Sequence, residues 1–523
     1  MSELPWWQKG IIYHIYPRSF ADSNGDGIGD LAGIIQHLDY LADLGVDAIW
    51  LSPIYPSPDK DFGYDVADYT NIDPRYGTLE DFDRLLEQAH ARGIRVILDL
   101  VFNHTSDQHP WFQESRSSRE NPKADWYIWQ DRIPNNWQAV FGGRAWQWDA
   151  QRRQYYLHLF LPEQPDLNWR NPQVQEAIFD VVRFWLDRGV DGFRLDVFNA
   201  WFKDARLRSN PFTPFGRRPF EWQKHIYDTD QPEMFPALRC LRQLLDAYPQ
   251  RYAVGETFLS TAEKAAQYCG PDLLHAAFNF EFTNTRYDAR AFLKAVEKWE
   301  AVLAGRGWPN YVLSNHDIPR SATRYGRAED DSRPRVVLAL LLTLRGTPFL
   351  YYGEEIGMRD LAVSRSEIQD PLGRHYWPFH KGRDGARSPM QWSDQPYAGF
   401  STVRPWLRVH ENYRWRNVAR MKQDETSLLR FVRRLIQVRR ENAALHCGDF
   451  QPLIATNHFL AYLRRWEEQE VLVLLNFSAA TTSFLLPPGR WEPLFAFPEW
   501  PSSLLPSPIS LPPYQVLLAR RTA

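Results

Sequence analysis

An amphipathic helix pattern followed by a glycine and a short apolar run occurs three times within the first two hundred residues. In the first copy, Leu31, Ile34, Ile35, Leu38 and Leu41 lie on one face at the period of an α-helix. Strands that alternate with helices form parallel sheets, which are buried on both faces and therefore apolar throughout. The pattern predicts an α/β fold. The three units span residues 31–51, 78–100 and 171–197.

The ends of the predicted helices carry start and stop signals. Thr78 and Asp81 have capping-box spacing, in an aspartate version of that motif. Asn171 and Pro172 combine an N-cap with proline at the first helical position, and all three helix patterns stop at a glycine. These signals support helices at 31–44, 78–92 and 171–188.

Five further apolar runs bring the number of predicted strands to eight. Eight parallel strands alternating with helices are the number that closes a (β/α)8 TIM barrel. We therefore predict this barrel as the main architecture. The eight predicted strands are residues 11–16, 46–51, 94–100, 190–197, 252–256, 274–282, 310–314 and 348–352.

Two other segments depart from the barrel pattern. The stretch between the third and fourth strands is long, shows little periodicity and is rich in Trp, Asn, Asp and Pro. After about residue 445, short apolar runs alternate with turns, which predicts a C-terminal antiparallel β-sandwich domain. The predicted organisation is barrel domain A in two parts, 1–103 and 170–447, an inserted domain B at 104–169, and the β domain at 448–523.

The composition argues against several classes of protein. The net charge is −3, which is not the strongly basic balance of a nucleic-acid-binding protein. The longest apolar run, residues 336–342, is far shorter than the roughly 20 residues that span a bilayer, so no membrane association is expected. Tryptophan is abundant at 22 residues, and seven of them lie between residues 111 and 169. Flat apolar rings suit a protein that handles sugars, although we expect most of these to pack the irregular insertion.

The cysteines and the first residues predict a cytoplasmic protein. Cys240, Cys269 and Cys447 are odd in number, far apart and without metal-ligand spacing. They are expected to be free thiols in a reducing compartment. The first ten residues lack the basic and apolar regions of a secretory signal.

Charged and imidazole side chains follow the ends of four predicted strands. The C-terminal strand ends of a barrel form one rim, and catalytic groups are positioned there. One such end is expected of any solvated strand, whereas four on the same rim indicate a site. The four ends are Asp99-Leu-Val-Phe-Asn103-His104, Gly192-Phe-Arg194-Leu-Asp196-Val197, Val254-Gly255-Glu256-Thr257 and Ser314-Asn315-His316-Asp317.

The carboxylates of this rim have the environments that hydrolysis of a glycosidic bond requires, one ionised and one protonated. Arg194 and Asp196 share one strand face, so the guanidinium is expected to keep Asp196 ionised as a nucleophile. Glu256 follows an apolar strand, where poor solvation raises the pKa of a carboxyl group, as an acid requires. A further carboxylate, Asp317, is suited to stabilising positive charge at the anomeric carbon.

The segments DLVFNH, GFRLDVF, VGETF and LSNHD resemble the four signature regions of the α-amylase family, glycoside hydrolase family 13. The resemblance covers nearly the whole chain, including the insertion and the C-terminal β domain. It implies that Asp196 is the nucleophile, Glu256 the general acid/base and Asp317 the transition-state stabiliser of a retaining, covalent mechanism. The residues that it implies around the released sugar are His104, Arg194 and His316.

Two further segments resemble the oligo-1,6-glucosidase and α-glucosidase subfamily. QPDLN at 164–168 is similar to its signature, and in DFGYD at 61–65 the matching residues Asp61 and Tyr64 close the pocket of exo-acting enzymes. Arg387 matches the arginine that pairs with that aspartate. The resemblance therefore implies an Asp61–Arg387 pair that excludes longer chains and leaves a pocket for one terminal glucose.

Val197 bears on the linkage, because in this subfamily valine after the nucleophile accompanies α-1,6 preference and alanine or threonine accompanies α-1,4. We therefore favour an enzyme that releases glucose from isomaltose-type oligosaccharides. An α-1,4-glucosidase (maltase) and a glucosyl transferase or isomerase, such as trehalose or isomaltulose synthase, are the alternatives. The arginine-rich loop of isomaltulose synthases is not found after Asp317, where the chain continues Ile318-Pro-Arg320. A non-catalytic transporter heavy chain is disfavoured, since such proteins have a membrane span and typically lack the three carboxylates.

An oxygen-rich segment near the N-terminus predicts a metal site. It copies the first half of an EF-hand loop, but position twelve is Gly33 instead of glutamate. The family resemblance implies a structural Ca²⁺ or Mg²⁺ here, and a glycine-rich turn without metal is the alternative. No organic cofactor is expected. The implied ligands are Asp22, Asn24, Asp26, the Ile28 carbonyl and Asp30.

Overall fold

The computed structural model describes residues 4–259 and 261–522, in which strands and helices alternate through most of the chain. The strands are β1 (Ile12–Ile15), β2 (Ala48–Leu51), β3 (Arg95–Leu100), β4 (Trp129–Gln130), β5 (Trp146–Asp149), β6 (Gln154–Leu157), β7 (Gly192–Leu195), β8 (Tyr252–Gly255), β9 (Ala276–Ala277), β10 (Asn310–Val312), β11 (Thr347–Tyr351), β12 (Asp449–Ala455), β13 (Phe459–Trp466), β14 (Gln469–Asn476), β15 (Thr482–Phe484), β16 (Arg490–Phe497), β17 (Ile509–Leu511) and β18 (Val516–Thr522). The α-helices are α1 (Trp6–Lys9), α2 (Leu31–Gln36), α3 (Leu38–Leu44), α4 (Leu79–Ala91), α5 (Pro110–Ser117), α6 (Pro172–Asp187), α7 (Met234–Asp246), α8 (Ala262–Gln267), α9 (Phe280–Thr283), α10 (Ala289–Leu303), α11 (Ser321–Tyr325), α12 (Ser332–Thr343), α13 (Pro371–Tyr376), α14 (Val418–Met421), α15 (Leu428–Glu441) and α16 (Ala443–His446).

The eight predicted barrel strands are all present and form one parallel sheet in the order β10-β11-β1-β2-β3-β7-β8-β9. The predicted strand at 274–282 is too long, because only Ala276–Ala277 is extended and Phe280–Thr283 turns into α9. No backbone ladder joins β9 to β10 among the described residues. A side-chain bond from Thr283 Oγ1 to the Val312 carbonyl (2.8 Å) crosses that seam of the TIM barrel.

The predicted helix caps are confirmed, but the first helix is interrupted. Thr78 and Asp81 form the capping box of α4, and Asn171 caps α6 through Gln173 N. The predicted helix at 31–44 is two helices that meet at His37. There the His37 ring nitrogen Nδ1 bonds the Gly33 carbonyl (2.9 Å), so His37 N donates to Ile34 O instead. A side chain that takes the i−4 carbonyl of its own helix interrupts the backbone ladder.

The insertion has more regular structure than its sequence indicates. It contains α5 and a three-stranded antiparallel sheet in the order β4-β6-β5. Most of its tryptophans pack, with Trp137 and Trp169 fully buried, while Trp148 is 44% exposed. The packing prediction therefore holds for most of these rings.

The C-terminal strands form a five-stranded antiparallel sheet, β12-β13-β14-β18-β16, faced by the two-stranded sheet β15-β17. Along β13, Leu460 and Tyr462 face the barrel core, whereas Ala461 and Leu463 face the small sheet. The apolar runs at 459–463, 471–477, 484–486 and 516–519 predict β13, β14, β15 and β18. They miss β17 and the edge strands β12 and β16, whose ladder is irregular next to Pro452 and Pro493. Proline cannot donate to a ladder and is tolerated mainly at edges and bulges, which hides such strands in the sequence.

Two further features concern the length of the described helices and the state of the cysteines. Within the described ranges no helix is long and apolar enough to cross a membrane. Cys240 is exposed, Cys269 and Cys447 are buried, and all three are free thiols.

Candidate active site

A cavity of about 260 Å³ opens at the C-terminal rim of the barrel. It contains most of the residues that the sequence singled out, although they come from five different strand ends. Tryptophan is absent from the lining of this cavity in the described part of the chain; Phe141, Phe160 and Phe258 supply its aromatic wall. The predicted residues that line it are Asp61, Tyr64, His104, Asp196, Val197, Glu256, His316 and Asp317.

Arg194 lies fully buried beneath the cavity and bonds three carboxyl groups. Its Nη1 donates to Asp99 Oδ1 (2.7 Å) and Asp196 Oδ1 (2.6 Å), and its Nη2 donates to Glu256. The parallel register explains this arrangement, because Arg194 pairs with Asp99 on β3 and with Val254 on β8. Neighbouring strands therefore deliver one cation and three acids to the same point.

Burial dominates the acidity of this cluster. It raises the pKa of Asp99 to about 6, and it also raises the pKa of Asp196 and of Glu256. The single guanidinium opposes these shifts but cannot neutralise three carboxylates. The expectation that Arg194 alone keeps Asp196 ionised is therefore incomplete, because burial and the negative charge of Glu256 and Asp99 act against it.

Val197 follows Asp196 in a strained backbone conformation. Its φ of 34° and ψ of 38° lie in the left-handed region, which a β-branched residue rarely adopts. The turn directs the Val197 side chain into the cavity and starts a short 3₁₀ helix, Phe198–Ala200. Such strain persists only where the surrounding structure fixes it.

Asp317 lines the cavity and is held by two arginines. Arg387 Nη2 donates to Asp317 Oδ1 (2.9 Å), and Arg383 Nη1 donates to the same oxygen (3.1 Å). Burial alone would raise the pKa of Asp317, but the adjacent His316 imidazole and the two guanidinium groups lower it below its usual range. Asp317 is therefore ionised.

The structure corrects the predicted partner of Asp61. Asp61 pairs with Arg383 (2.7 Å), whereas Arg387 binds Asp317 and the His316 carbonyl. Arg383 also binds Asp370 (2.6 Å), so one guanidinium connects Asp61, Asp317 and Asp370. The sequence analysis missed Arg383 and Asp370. The segment RDGAR at 383–387 offers two arginines one turn apart, and that spacing was the available signal.

His104 and Tyr64 form the wall between β3 and the insertion. The His104 Nε2 atom bonds the Tyr64 carbonyl (2.9 Å), and Asn103 Nδ2 donates to His104 Nδ1 (3.1 Å). Burial lowers the pKa of His104 to about 4. Tyr64 stacks on His316, whose pKa burial lowers to about 3. Both imidazoles are therefore neutral hydrogen-bonding groups.

The predicted metal loop lies outside the cavity. Asp22 accepts hydrogen bonds from Gly25 N (2.7 Å) and Gly27 N (2.8 Å), and Asp30 caps α2 through Gly33 N. Within the described ranges, no group of three or more His, Cys, Asp and Glu side chains is arranged to hold a metal ion. The donor set consists of oxygens, which suits Ca²⁺ or Mg²⁺. The metal site stays a prediction.

The chain is similar to known proteins over nearly its full length. The family model described as alpha amylase, catalytic domain, matches residues 14–448. A probable alpha-glucosidase of Rhizobium meliloti (strain 1021) is 44% identical, with 98% of this chain and 97% of the relative covered. The oligo-1,6-glucosidase of Parageobacillus thermoglucosidasius is 40% identical, with 93% and 92% covered.

Solved structures share the fold as well. An alpha-glucosyl transfer enzyme superposes with a TM-score of 0.94 at 45% identity, covering 99% of this chain and all of the other. The trehalulose synthase from Pseudomonas mesoacidophila MX-45 superposes with a TM-score of 0.92 at 34% identity, with the same coverage. The similarity therefore includes the barrel, the insertion and the C-terminal sheet.

Proposed function

The chain belongs to the α-amylase family of glycoside hydrolases, and on that premise we propose that it is a retaining exo-α-glucosidase that prefers α-1,6-linked, isomaltose-type oligosaccharides. The exo-acting part rests on one observation, the ion network of Asp61, Arg383 and Asp370. Asp61 and Arg383 line the catalytic cavity, whereas the neighbouring Lys60 and Phe62 line a separate cavity of about 680 Å³. The network closes one end, so a terminal glucose fits and a continuing chain does not.

The close approach of Asp196 and Glu256 supports a double displacement. Retaining enzymes hold their two carboxyl groups about 5 Å apart, whereas inverting enzymes leave room for water. Here both carboxyl groups bond one guanidinium. In the reactive form Asp196 is ionised and Glu256 carries the proton, and Asp196 attacks the anomeric carbon while Glu256 gives that proton to the departing oxygen. Glu256 then takes a proton from water, and that water displaces Asp196.

Asp317 supports the oxocarbenium-like transition state. Its lowered pKa keeps it ionised while Glu256 is protonated, so negative charge remains beside the anomeric carbon. The two arginines that hold Asp317 leave it one-third exposed towards the cavity. The site thus separates an acid from a permanent anion within one cavity.

The linkage preference rests on Val197, and Val197→Thr tests it. The added hydroxyl offers a hydrogen bond to the departing sugar, so we expect the isomaltose-to-maltose ratio of kcat/KM to fall on the order of 10-fold. Val140→Thr makes the same change on the insertion side of the cavity and should leave the ratio unchanged. An unaltered ratio in Val197→Thr would remove the argument for α-1,6 preference.

Glucosyl transfer is the second candidate, because solved structures with the same fold are named as a glucosyl transfer enzyme and a trehalulose synthase. Against it, Arg320 does not reach the cavity; it is buried and donates to the Tyr352 carbonyl (2.6 Å). Product analysis from sucrose and maltose separates the two functions. Mainly free glucose supports hydrolysis, and mainly trehalose, isomaltulose or trehalulose supports transfer.

A substrate panel tests the proposed function as a whole. The panel comprises maltose, isomaltose, isomaltotetraose, dextran and p-nitrophenyl α-glucoside. We expect isomaltotetraose to give glucose and isomaltotriose as first products, with α-glucose as the initial anomer by NMR. First products of isomaltose, or initial release of β-glucose, would contradict an exo-acting, retaining enzyme.

A further inference from the structure

Asn199 connects the two loops that carry the main carboxyl groups of the site. It lies three residues after Asp196 and is completely buried, without lining the cavity. Its Oδ1 accepts a hydrogen bond from Phe258 N (2.7 Å), and its Nδ2 donates to Phe258 O (2.9 Å). Phe258 is two residues after Glu256. One amide side chain therefore pairs with the backbone of the loop that carries Glu256.

A third loop anchors this pairing. Asn199 Nδ2 also donates to Asp230 Oδ1 (3.0 Å), and Asp230 N donates to the Asn199 carbonyl (2.7 Å). The Asp230 carboxylate is itself bonded by Tyr268 (2.9 Å) and Lys264 (2.8 Å). The Asn199 side chain is thus fixed from both sides, which suits a group that holds two other loops in register.

The backbone around Asn199 needs such a constraint. Val197 is in the left-handed conformation, and Phe198 after it lies close to Gly255 at the end of β8. A Cβ atom at Gly255 would lie 2.3 Å from the Phe198 ring, so only glycine fits before Glu256. Phe198 and Asn199 together therefore determine how far the Glu256 loop lies from Asp196.

We infer that Asn199 is a positioning residue for the acid/base step, because it holds the Glu256 loop at a fixed distance from Asp196. The inference rests on the proposed role of Glu256 as the acid. A carboxylic acid displaced by about 1 Å from the departing oxygen loses on the order of 100-fold in rate. The loss depends on how much the leaving group needs a proton.

The test compares substrates with poor and good leaving groups in Asn199→Ala. We expect kcat/KM for isomaltose to fall about 100-fold. The fluoride of α-glucosyl fluoride departs without full protonation, so we expect kcat/KM for this substrate to fall by less than about 10-fold. Equal losses on both substrates would overturn the inference, because a general loosening of the fold does not distinguish leaving groups.

Two variants control for loss of structure. Asn476→Ala removes an equally buried asparagine that bonds the backbone at Ala480 and Pro512 in the C-terminal domain. It should lower thermal stability and leave the ratio of the two substrates unchanged. Asn199→Asp keeps the bond from Phe258 N but turns the two donated bonds into contacts of its carboxyl group with the Asp230 carboxylate and the Phe258 carbonyl, so it should show a selective loss at least as large. If Asn199→Ala does not fold, Asn199→Asp decides, and no selective loss there overturns the inference.

Glu256→Gln separates this inference from the proposed function. If Glu256 is the acid, this variant should abolish isomaltose hydrolysis but largely spare kcat/KM for α-glucosyl fluoride, which reports only the steps up to the glucosyl-enzyme. Equal loss on both substrates in Glu256→Gln would contradict the role of Glu256. Selective loss in Glu256→Gln without selective loss in Asn199→Ala contradicts only the role of Asn199.

Discussion

One guanidinium faces three carboxyl groups at the base of the cavity. Because one positive charge cannot balance three negative ones, these carboxyl groups hold protons more strongly than exposed ones do. Arg194 can balance one negative charge, while Asp99, Asp196 and Glu256 together carry three when ionised. Burial makes each uncompensated charge costly, so the cluster retains protons that exposed carboxyl groups would lose. Asp317, beside two arginines, loses its proton instead. The site therefore contains both an acid and an anion.

The pH dependence of hydrolysis follows from the raised pKa of Glu256. Glu256 must be protonated to act as an acid, so activity is present below its pKa and falls as the pH rises through it. We expect the alkaline limb of kcat/KM for isomaltose to lie above the ordinary glutamate range. The measurement is kcat/KM for isomaltose against pH. The control is kcat/KM for α-glucosyl fluoride with the Glu256→Gln variant, which should lack this limb. An alkaline limb at the ordinary glutamate pKa would contradict the idea that burial raises the pKa of Glu256.

Titration of His104 and His316 does not account for this limb, since burial lowers their pKa values to about 4 and about 3.

For individual residues, the sequence predicted which side chains lie at the barrel rim better than it predicted their ion-pair partners. Asp196, Glu256 and Asp317 could be predicted because a strand end in a parallel sheet has only one location, the rim. The partner of Asp61 could not, because Arg383 and Arg387 lie on a long loop after β11 whose path depends on tertiary contacts. Arg383 reaches Asp61 because Asp370 on the same loop holds its guanidinium (2.6 Å).

At the scale of elements, periodicity predicted the eight barrel strands and the helices at 78–92 and 171–188. It failed where a side chain or proline changed the local hydrogen bonding. His37 interrupts the first helix by taking the Gly33 carbonyl, and Pro452 and Pro493 disguise two edge strands. Such exceptions depend on one residue within an otherwise regular pattern, so a window average does not detect them.

A buried ion pair ties the insertion to the barrel. Lys203 Nζ lies 2.6 Å from Asp166 Oδ2 and 2.7 Å from Asn103 Oδ1, and both charged side chains are fully buried. Lys203→Met would leave the Asp166 carboxylate buried without its cation. We expect this variant to lose roughly 3–5 kcal/mol of unfolding free energy, measured by urea denaturation.

Two further variants decide whether the charge causes that loss. Lys203→Met combined with Asp166→Asn removes both charges and should be more stable than Lys203→Met alone. Arg239→Met breaks a half-exposed pair with Asp272 and should cost far less stability than Lys203→Met. A double variant that is no more stable than the single one would show that packing of the lysine stem matters more than its charge.

The loop that carries the predicted metal ligands offers a separate test. If Asp22, Asn24, Asp26, the Ile28 carbonyl and Asp30 hold Ca²⁺ or Mg²⁺, a chelator lowers the melting temperature, because an ion that binds only the folded chain stabilises it. Activity at low temperature should change little, since the loop lies outside the catalytic cavity. Asp26→Asn should reduce the effect of chelator. Identical melting with and without chelator would argue for a glycine-rich turn without metal.

On the scale of the whole molecule, two buried arginines without a salt bridge in the described residues lie where the barrel meets the C-terminal sheet, and Arg464 joins the two through the Thr343 carbonyl of α12. Arg439 on α15 donates to the carbonyls of Leu342, Leu344 and Leu445 (2.9 Å each). Arg464 on β13 donates to Leu445 (2.7 Å) and Gly448 (2.8 Å). Burial lowers the pKa of Arg439 to about 9 and that of Arg464 to about 10. Backbone carbonyls at the ends of α12 and α16 thus replace carboxylates as their partners.

Arg464→Met tests whether these contacts hold the C-terminal sheet on the barrel. The substitution keeps an apolar side chain of similar length but leaves several buried carbonyls without a donor, each costing about 1–3 kcal/mol. We expect a loss of roughly 3 kcal/mol in unfolding free energy, together with faster hydrogen exchange in residues 449–522.

The adjacent Arg465 is exposed and pairs with Glu470, so Arg465→Met should change neither quantity appreciably. Because Arg464 is far from the cavity in sequence and absent from its lining, kcat should stay close to that of the unmodified enzyme. Equal stability of Arg464→Met and Arg465→Met would show that apolar packing of β13 and β14, rather than the buried guanidinium, joins the two parts of the molecule.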